Sequence, residues 1–286
     1  MSSGTPTFSP SFPIRRIAVA ISFSPYCQSV LSEAKHLADV LGASLLPIHV
    51  GEKTANKELE VLEMIKELKI DADLSGVTWD EGKEVKVILD FCDENNVDLL
   101  VLGAKVKENM LKFYIGSVAR KISRKTKCSV LLVTDPAATP QEYNRIVING
   151  VDDVKTENTI DTALYFAEHL KTKEAYIVQE LDISLSLNAQ VYSLKQKKEL
   201  QTNDLLINAA IKKHQGKNLQ IISKVAKGKS GYAISKFAQT KKADLLVMSA
   251  PETQLNVVDR IFTHDMEYIL AHLPCNLLIV HQRVKE

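Results

Sequence analysis

A long internal repeat constrains the fold of this chain more than any other feature of its sequence. Residues 82–103, GKEVKVILDFCDENNVDLLVLG, align without a gap with residues 228–249, GKSGYAISKFAQTKKADLLVMS. Shorter echoes lie at the starts and the ends of the two halves, at residues 15–20 and 144–148, and at residues 127–133 and 274–280. A repeat of domain size indicates that a whole fold has been duplicated, because solenoid repeats are much shorter. Each half of the 286-residue chain is also long enough to bury its own core.

Within each half, short apolar strands alternate with amphipathic helices. In the first half the strands are predicted at residues 17–21, 44–50, 77–79, 98–102 and 129–133. Segments such as DLLVL and SVLLV are apolar on both faces, which is typical of parallel sheets covered by helices on each side. Five strand–helix steps predict an α/β fold of two tandem, doubly wound, Rossmann-like domains, each with a five-stranded parallel sheet and its own core.

Turn residues and changes in composition set the expected domain boundaries. Residues 1–14 include a long Ser/Thr/Pro-rich stretch, and we expect them to form a disordered leader. We expect the first domain at residues 15–135, a proline-containing linker at residues 136–143, and the second domain at residues 144–286. Strand and helix signals are weak between residues 181 and 198, which favours a long loop or an extended helix entry there.

The composition argues against several classes of protein. Lys and Arg total 36 while Asp and Glu total 35, so the net charge of +1 creates no field that selects nucleic acid or an anionic membrane. No apolar run approaches the ~18–20 residues that span a bilayer, and no secretory signal is expected. The four cysteines lack metal-ligand spacing and are expected to be reduced thiols. These observations predict a cytoplasmic protein without a metal centre.

The most informative candidate site is the loop after the fourth predicted strand. Its residues are Gly103-Ala104-Lys105-Val106, a stretch of nine more, and then Gly116-Ser117-Val118-Ala119 at the start of a helix. Glycine lets a backbone approach a phosphate closely, and a helix start offers free N–H groups and a partial positive charge. Open α/β sheets bind ligands at the carboxyl ends of their strands, so this loop predicts a phosphate or nucleotide site there.

From Arg15 onward the chain resembles the universal stress proteins in their tandem two-domain form. Family members that bind ATP carry an aspartate at the end of strand one and a Gly-x2-Gly-x9-Gly-Ser/Thr loop after strand four. Gly103, Gly116 and Ser117 match this pattern. Val106 replaces the middle glycine, and Ser22 stands at the position of the aspartate.

The resemblance implies a fold like that of the adenine nucleotide alpha hydrolases, with a weakened site for ATP or AMP in the first half. The implied cofactor-binding residues are Ser22, Val50, Gly103, Val106, Gly116, Ser117 and Val118. Losing one polar contact costs about 0.5–1.5 kcal/mol, and a valine forced into an unusual glycine conformation costs about 1–2 kcal/mol more. The variant with both Ser22→Asp and Val106→Gly is therefore expected to bind ATP more tightly by about tenfold or more.

The second half departs further from the family pattern. Its counterparts of the loop residues are Ser249, Glu252, Thr263 and His264. Glu252 and Asp259 would add negative charge where a phosphate would lie, which is repulsive. We therefore expect no ATP binding in the family manner in this half.

The resemblance also implies how the halves assemble. They are expected to pack as an intramolecular pseudo-dimer in which the final strands, at residues 129–133 and 276–280, face one another. Both are short apolar edge strands, and an uncovered edge invites pairing. A further homodimer and a protein partner are left open, whereas no nucleic acid or membrane partner is expected.

Three functions stay open on these observations. The first is a non-catalytic stress-response protein that binds adenine nucleotide weakly through its first half. The second is a surface scaffold or interaction protein without a small ligand, and the third is a nucleotide-hydrolysing enzyme. No Walker loop or metal cluster supports the enzyme, so we expect no catalysis, with weak ATP hydrolysis left open. We interpret His49 as a core histidine and the basic residues of 120–127 as a solvated helix face.

Overall fold

The computed structural model defines two similar halves. The described residues are 8–9, 11–70, 76–107, 112–134, 139–150, 155–181, 205, 207–214, 218–250 and 264–284. Among the helices of these ranges, none is long and apolar enough to cross a bilayer.

In the first half, a short strand precedes five strands that alternate with helices. The elements are β1 (Phe8–Ser9), β2 (Arg16–Ile21), α1 (Cys27–Leu41), β3 (Ser44–Val50), α2 (Ala55–Glu67), β4 (Thr78–Asp80), α3 (Glu84–Glu94), β5 (Leu99–Gly103), β6 (Lys105–Lys107), β7 (Lys112–Tyr114), α4 (Ser117–Lys125) and β8 (Ser129–Val133). Strands β6 and β7 form a small antiparallel hairpin between β5 and α4.

The described residues of the second half repeat this order of strands and helices, and the segment between β12 and α8 lies outside them. Its elements are β9 (Arg145–Asn149), α5 (Thr156–His169), β10 (Glu174–Leu181), α6 (helical residues 207–213), β11 (Gln220–Lys227), α7 (Tyr232–Lys241), β12 (Leu245–Ser249), α8 (His264–Ala271), β13 (Asn276–Val280) and β14 (Arg283–Val284). Of the zone with weak signals at 181–198, Leu181 ends β10 and the rest lies outside the described residues.

Helix α1 shows how the local sequence produces an element that borders the site. Val30, Ala34 and Leu37 are buried, and their spacing of four and three residues turns one apolar face towards the sheet. Gly42 ends the helix in a left-handed conformation with φ +64°, which glycine adopts without steric penalty. Its N–H donates to the carbonyl oxygen of Asp39, and the chain then turns directly into β3.

Each half contains a five-stranded parallel sheet, which confirms the predicted fold class. The strand order is β4-β3-β2-β5-β8 in the first half and β11-β10-β9-β12-β13 in the second. Counted within a half, this order is 3-2-1-4-5, so it reverses between the first and fourth strands. Helices α1, α2 and α5 pack on one face of the sheet, and α3, α4, α7 and α8 pack on the other.

The two sheets join into one sheet of ten strands. Strand β8 pairs antiparallel with β13, and Leu131 lies opposite Leu278, which confirms that the final strands face each other. The expectation of a separate core in each half is wrong, because one apolar core on each face of the joined sheet includes residues of both halves. The pairing gives hydrogen-bond partners to backbone groups that two separate apolar edges would leave unsatisfied.

The amino-terminal segment packs against the second half of the chain. Strand β1 pairs antiparallel with β14. Ser11 is buried, and its hydroxyl donates to the carbonyl oxygen of His281 over 2.6 Å. The ring of Phe12 stacks on that of Tyr165 with 5.2 Å between centroids. The prediction of a disordered leader over residues 1–14 is therefore wrong for the described part, because its partners come from the other half.

The described part of the expected linker is held by buried hydrogen bonds. The buried Tyr143 hydroxyl donates to Glu33 Oε1 in α1 over 2.6 Å. Asn276 at the start of β13 donates its Nδ2 proton to the Tyr143 oxygen, and its Oδ1 accepts the N–H of Thr134. This network connects α1, the linker and the second half.

Candidate functional site

A cavity of about 690 Å³ opens at the carboxyl ends of the strands in the first half. It lies where the strand order reverses, between the ends of β2 and β5, and the starts of α1, α3 and α4 contribute to its wall. Open α/β sheets bind their ligands at this point, because the loops diverge there and leave a crevice. The volume falls within the range of about 300–1,000 Å³ that is usual for small-molecule sites.

The structure brings four of the seven predicted site residues into the wall of this cavity. These four are Ser22, Val50, Gly103 and Val118. Gly116 is the N-cap of α4 and Ser117 is its first residue, so both directly precede the wall residue Val118 without lining the cavity. The start of α4 therefore lies at the cavity. The residues that line the cavity there belong to the first turn of the helix, and the motif residue Gly116 is not among them.

Val106 lies in a strand rather than in a tight glycine turn. It pairs with Phe113 across β6 and β7, and its backbone is extended rather than left-handed. The expected energetic cost of a valine in an unusual glycine conformation is therefore wrong. Strand pairing gives this position the backbone that β-branched residues favour.

Gly103 has a packing role that is independent of any ligand. A Cβ atom added at this position would lie 3.1 Å from Cγ2 of Val30 in α1. That distance is tighter than ordinary van der Waals contact, so a side chain would push α1 away from the end of β5. The glycine lets α1 approach β5, and the helix in turn forms one side of the cavity.

The described wall is mainly apolar and carries hydroxyl groups at one edge. Val50, Leu102 and Ile88 contribute apolar surface. On the other side, Ser22 Oγ donates to Ser24 Oγ over 3.1 Å, and both serines are exposed. Glu84, the first residue of α3, is the one charged residue among the described residues of the wall. A flat heterocycle can pack on the apolar part while a sugar bonds the hydroxyls.

Cys27 begins α1 and also lines the cavity. Burial raises the pKa of its thiol above the ordinary value, and backbone hydrogen bonds from Ser22 and Phe23 lower that pKa by less. The thiol is therefore protonated at neutral pH and contributes a small, weakly polar surface. No sequence pattern assigns Cys27 to the site, because its place in the wall follows from where α1 starts.

An aromatic cluster holds the loop between β2 and α1. Phe23 adopts φ +51°, which is uncommon for a residue other than glycine. Its ring meets His49 edge-on at 4.7 Å and stacks near Trp79 at 6.1 Å. His49 is buried, and its Nδ1 lies 2.9 Å from the carbonyl oxygen of Ile21, but the residue also lines the cavity and its Nε2 has no hydrogen-bond partner among the described residues. The interpretation of His49 as a core histidine therefore covers only one side of its ring. No sequence signal marks Phe23 for this role.

The corresponding place in the second half is bridged by its own side chains. The sheet register makes Lys155 the counterpart of Tyr26, which lines the first-half cavity and is exposed. Lys155 is 8% exposed, and its Nζ donates to the carbonyl oxygen of Ala250 over 3.1 Å. Thr159 and Ser249 share a hydrogen bond of 2.7 Å. Two side-chain contacts therefore connect the start of α5 to the end of β12.

The other predicted loop residues of the second half are only partly described. Glu252, Asp259 and Thr263 lie outside the described residues, and His264 is the first residue of α8. The absence of ATP binding in this half therefore stays a prediction. Within the described ranges, no group of three or more His, Cys, Asp and Glu side chains could hold a metal ion.

The comparisons with known proteins agree with this architecture. The model of the universal stress protein family matches residues 13–134 and again residues 143–281. The universal stress protein YxiE of Bacillus subtilis is 27% identical over 144 residues, which are 41% of this chain and 97% of that protein.

Solved structures share the fold over nearly the whole chain. A protein of Pseudomonas aeruginosa UCBPP-PA14 assigned to the universal stress proteins aligns with a TM-score of 0.70 and 15% identity, covering 94% of each chain. A universal stress protein of Archaeoglobus fulgidus DSM 4304 aligns with a TM-score of 0.64 and 14% identity, covering 94% of this chain and 99% of that one. With two family matches that together cover most of its length, this chain belongs to the universal stress protein family, in the form with two tandem domains.

Proposed function

We propose that this protein is a non-catalytic stress-response protein that binds one adenine nucleotide, weakly, in its first half. The observation that carries the proposal is the cavity of about 690 Å³ at the strand-order reversal, with Ser22, Val50, Gly103 and Val118 in its wall. Family resemblance and geometry point to the same crevice, although they rest on different observations.

In this proposal the adenine packs against the apolar wall near Val50, and the ribose bonds the hydroxyls of Ser22 and Ser24. The phosphate lies at the start of α4, where the N-cap Gly116 has no side-chain cap for the first-turn N–H groups. A monophosphate suits the described wall better than a triphosphate, because the one charged residue there is the carboxylate of Glu84. We therefore expect AMP to bind at least as tightly as ATP.

The affinity is expected to be modest. Ser22 stands where ATP-binding family members carry an aspartate, so one polar contact to the ligand is lost. Such a loss costs about 0.5–1.5 kcal/mol, or roughly a two- to twelvefold weaker Kd. A site of this kind fills when the nucleotide concentration is high.

Calorimetric titration with AMP tests the proposal on a cavity-filling variant and a matched control. Ala119 lines the cavity from α4, so Ala119→Trp should weaken AMP binding tenfold or more. Lys121 is exposed on the same helix, so Lys121→Trp should leave the Kd unchanged. Thermal unfolding of both variants checks that they fold. If wild-type protein takes up no adenine nucleotide at millimolar concentration, the proposal fails and a ligand-free interaction role takes its place.

A further inference from the structure

The loop that carries the family motif is anchored in the other half of the chain. The N–H of Ile115, just before α4, donates to the carbonyl oxygen of Leu270 in α8 over 3.0 Å. Both residues are buried, at 2% and 0% exposure, so water does not compete for this bond. The described end of the hairpin also packs on α8.

A second contact joins the same two helices. Arg120 of α4 forms an ion pair with Glu267 of α8. Their side chains are 31% and 36% exposed, which places the pair at the edge of the interface rather than in bulk solvent. The contacts at Ile115 and Arg120 therefore lie on either side of the first turn of α4, whose residues Val118 and Ala119 line the cavity.

The position of the ion pair is a consequence of pseudo-symmetry. Arg120 and Glu267 are 147 residues apart, and so are Leu131 and Leu278, which lie directly opposite each other in β8 and β13. Both pairs thus join equivalent positions of the two halves across one approximate two-fold axis. In a symmetric dimer of identical chains, such a position would meet its own copy, and two arginines would repel. Two halves of different sequence, as in this chain, can place opposite charges there.

Helix α8 of the second half thus contacts both ends of the first turn of α4, through Leu270 and Glu267. We infer that the second half is a platform for the first-half site, and that Glu267 is a positioning residue that acts through Arg120 on the start of α4. This inference rests on the proposed nucleotide site. A start of α4 that is held in place before the ligand arrives lowers the entropic cost of binding.

Charge reversal tests the inference by calorimetry with AMP. Glu267→Arg should weaken AMP binding about three- to tenfold, because it replaces attraction by repulsion between α4 and α8. The charge-swapped variant Arg120→Glu, Glu267→Arg should recover a Kd within about twofold of wild type. The control is Glu174→Gln, which removes the partner of Arg145 in a similar ion pair at the opposite edge of the sheet and should leave the Kd unchanged.

Amide hydrogen exchange without ligand supplies a second measurement. Glu267→Arg should speed exchange at residues 115–119 and leave β2 and β5 unchanged, whereas the charge-swapped variant should restore the wild-type rates. Unchanged exchange at 115–119, or a swapped variant as impaired as Glu267→Arg, overturns the inference. If wild type binds no AMP but the exchange pattern holds, the platform role stands and the proposed function fails.

Discussion

Lys155 Nζ and the carbonyl oxygen of Ala250 lie 3.1 Å apart, and this hydrogen bond joins the start of α5 to the end of β12 in the second half. In the first half the corresponding residue, Tyr26, is exposed at the rim of an open cavity. Equivalent positions of the two halves therefore differ: Lys155 bonds to the residue after β12, whereas Tyr26 lies at the rim of a cavity. We predict that this difference restricts nucleotide binding to the first half.

Removing the bridge should lower stability without creating a second nucleotide site. Lys155→Ala leaves a buried carbonyl oxygen without its donor, so the free energy of unfolding should fall by about 1–3 kcal/mol. Urea unfolding measures this change, with the exposed Lys212→Ala as the control that should stay within about 0.5 kcal/mol of wild type. Native mass spectrometry should still count one AMP per chain. Two bound AMP molecules would contradict the assigned difference between the halves.

The two departures from the family motif should have different effects on binding. Ser22→Asp adds an acceptor at the exposed rim and should tighten AMP binding about two- to tenfold. Val106→Gly should bring no gain, because Val106 is already in an unstrained strand and a glycine there costs roughly 0.5–1 kcal/mol. Calorimetry on the two single variants separates the effects. A larger gain from Val106→Gly than from Ser22→Asp would mean that the hairpin does not form as described.

Gly103 should prove to be a packing residue. Gly103→Ala places a methyl group 3.1 Å from Val30 Cγ2, so the free energy of unfolding should fall by about 1–3 kcal/mol. Val30→Ala makes room for that methyl group, and the double variant should therefore lose less than the sum of the two single losses. Strict additivity in urea unfolding would show that the glycine is needed for another reason.

The network at the linker predicts a pH dependence at alkaline pH. Burial, and then the neighbouring Glu33 carboxylate, raise the pKa of Tyr143 well above its ordinary value near 10. The folded protein therefore holds the phenolic proton more tightly than the unfolded chain does. This contribution to stability is fully present below about pH 10 and is lost as the pH rises through the raised pKa.

Tyr143→Phe isolates that contribution. At neutral pH the variant should be less stable by about 1–3 kcal/mol, because Glu33 Oε1 loses its donor. Between about pH 9 and pH 11 it should lose less stability than wild type, because it has no phenolic proton to release. If the free energy of unfolding, measured with a denaturant, falls equally with pH for both proteins across this range, Tyr143 is not the source of the pH dependence.

The fold was largely predictable from the sequence because its determinants are local. Apolar runs such as SVLLV are strand signals, and the repeat shows that the same order occurs twice. The meeting of the final strands was expected from the family resemblance and from their apolar edges, but the shared cores were not, because contacts such as that of Leu131 with Leu278 arise only through tertiary pairing. The ordered structure of residues 11–14 was not predicted for the same reason, because Ser11 bonds to His281, which is distant in the sequence.

The candidate site could be predicted from the sequence only at positions where the family motif and the observed structure agree. Gly103 and Val118 lie in the wall, as their spacing suggested. The prediction of a strained backbone at Val106 was wrong. The motif has a glycine at this position, but nothing in the motif indicates that here the residue pairs with Phe113 between two short strands. Phe23 and Lys155 carry no local signal at all. Their roles follow from a positive φ angle and from a contact with a carbonyl oxygen in another part of the half.

The most direct test of the central claim is backbone amide NMR mapping of AMP on the intact deuterated protein. We expect saturable chemical-shift changes that cluster at Ser22, Val50, Gly103 and residues 116–119, with one binding isotherm for all of them. The chemical shifts of amides near Lys155 and Ala250 should change little, and only through small effects transmitted by α8. Shifts centred on Lys155 and Ala250, or no saturable shift at millimolar AMP, would contradict nucleotide binding in the first half.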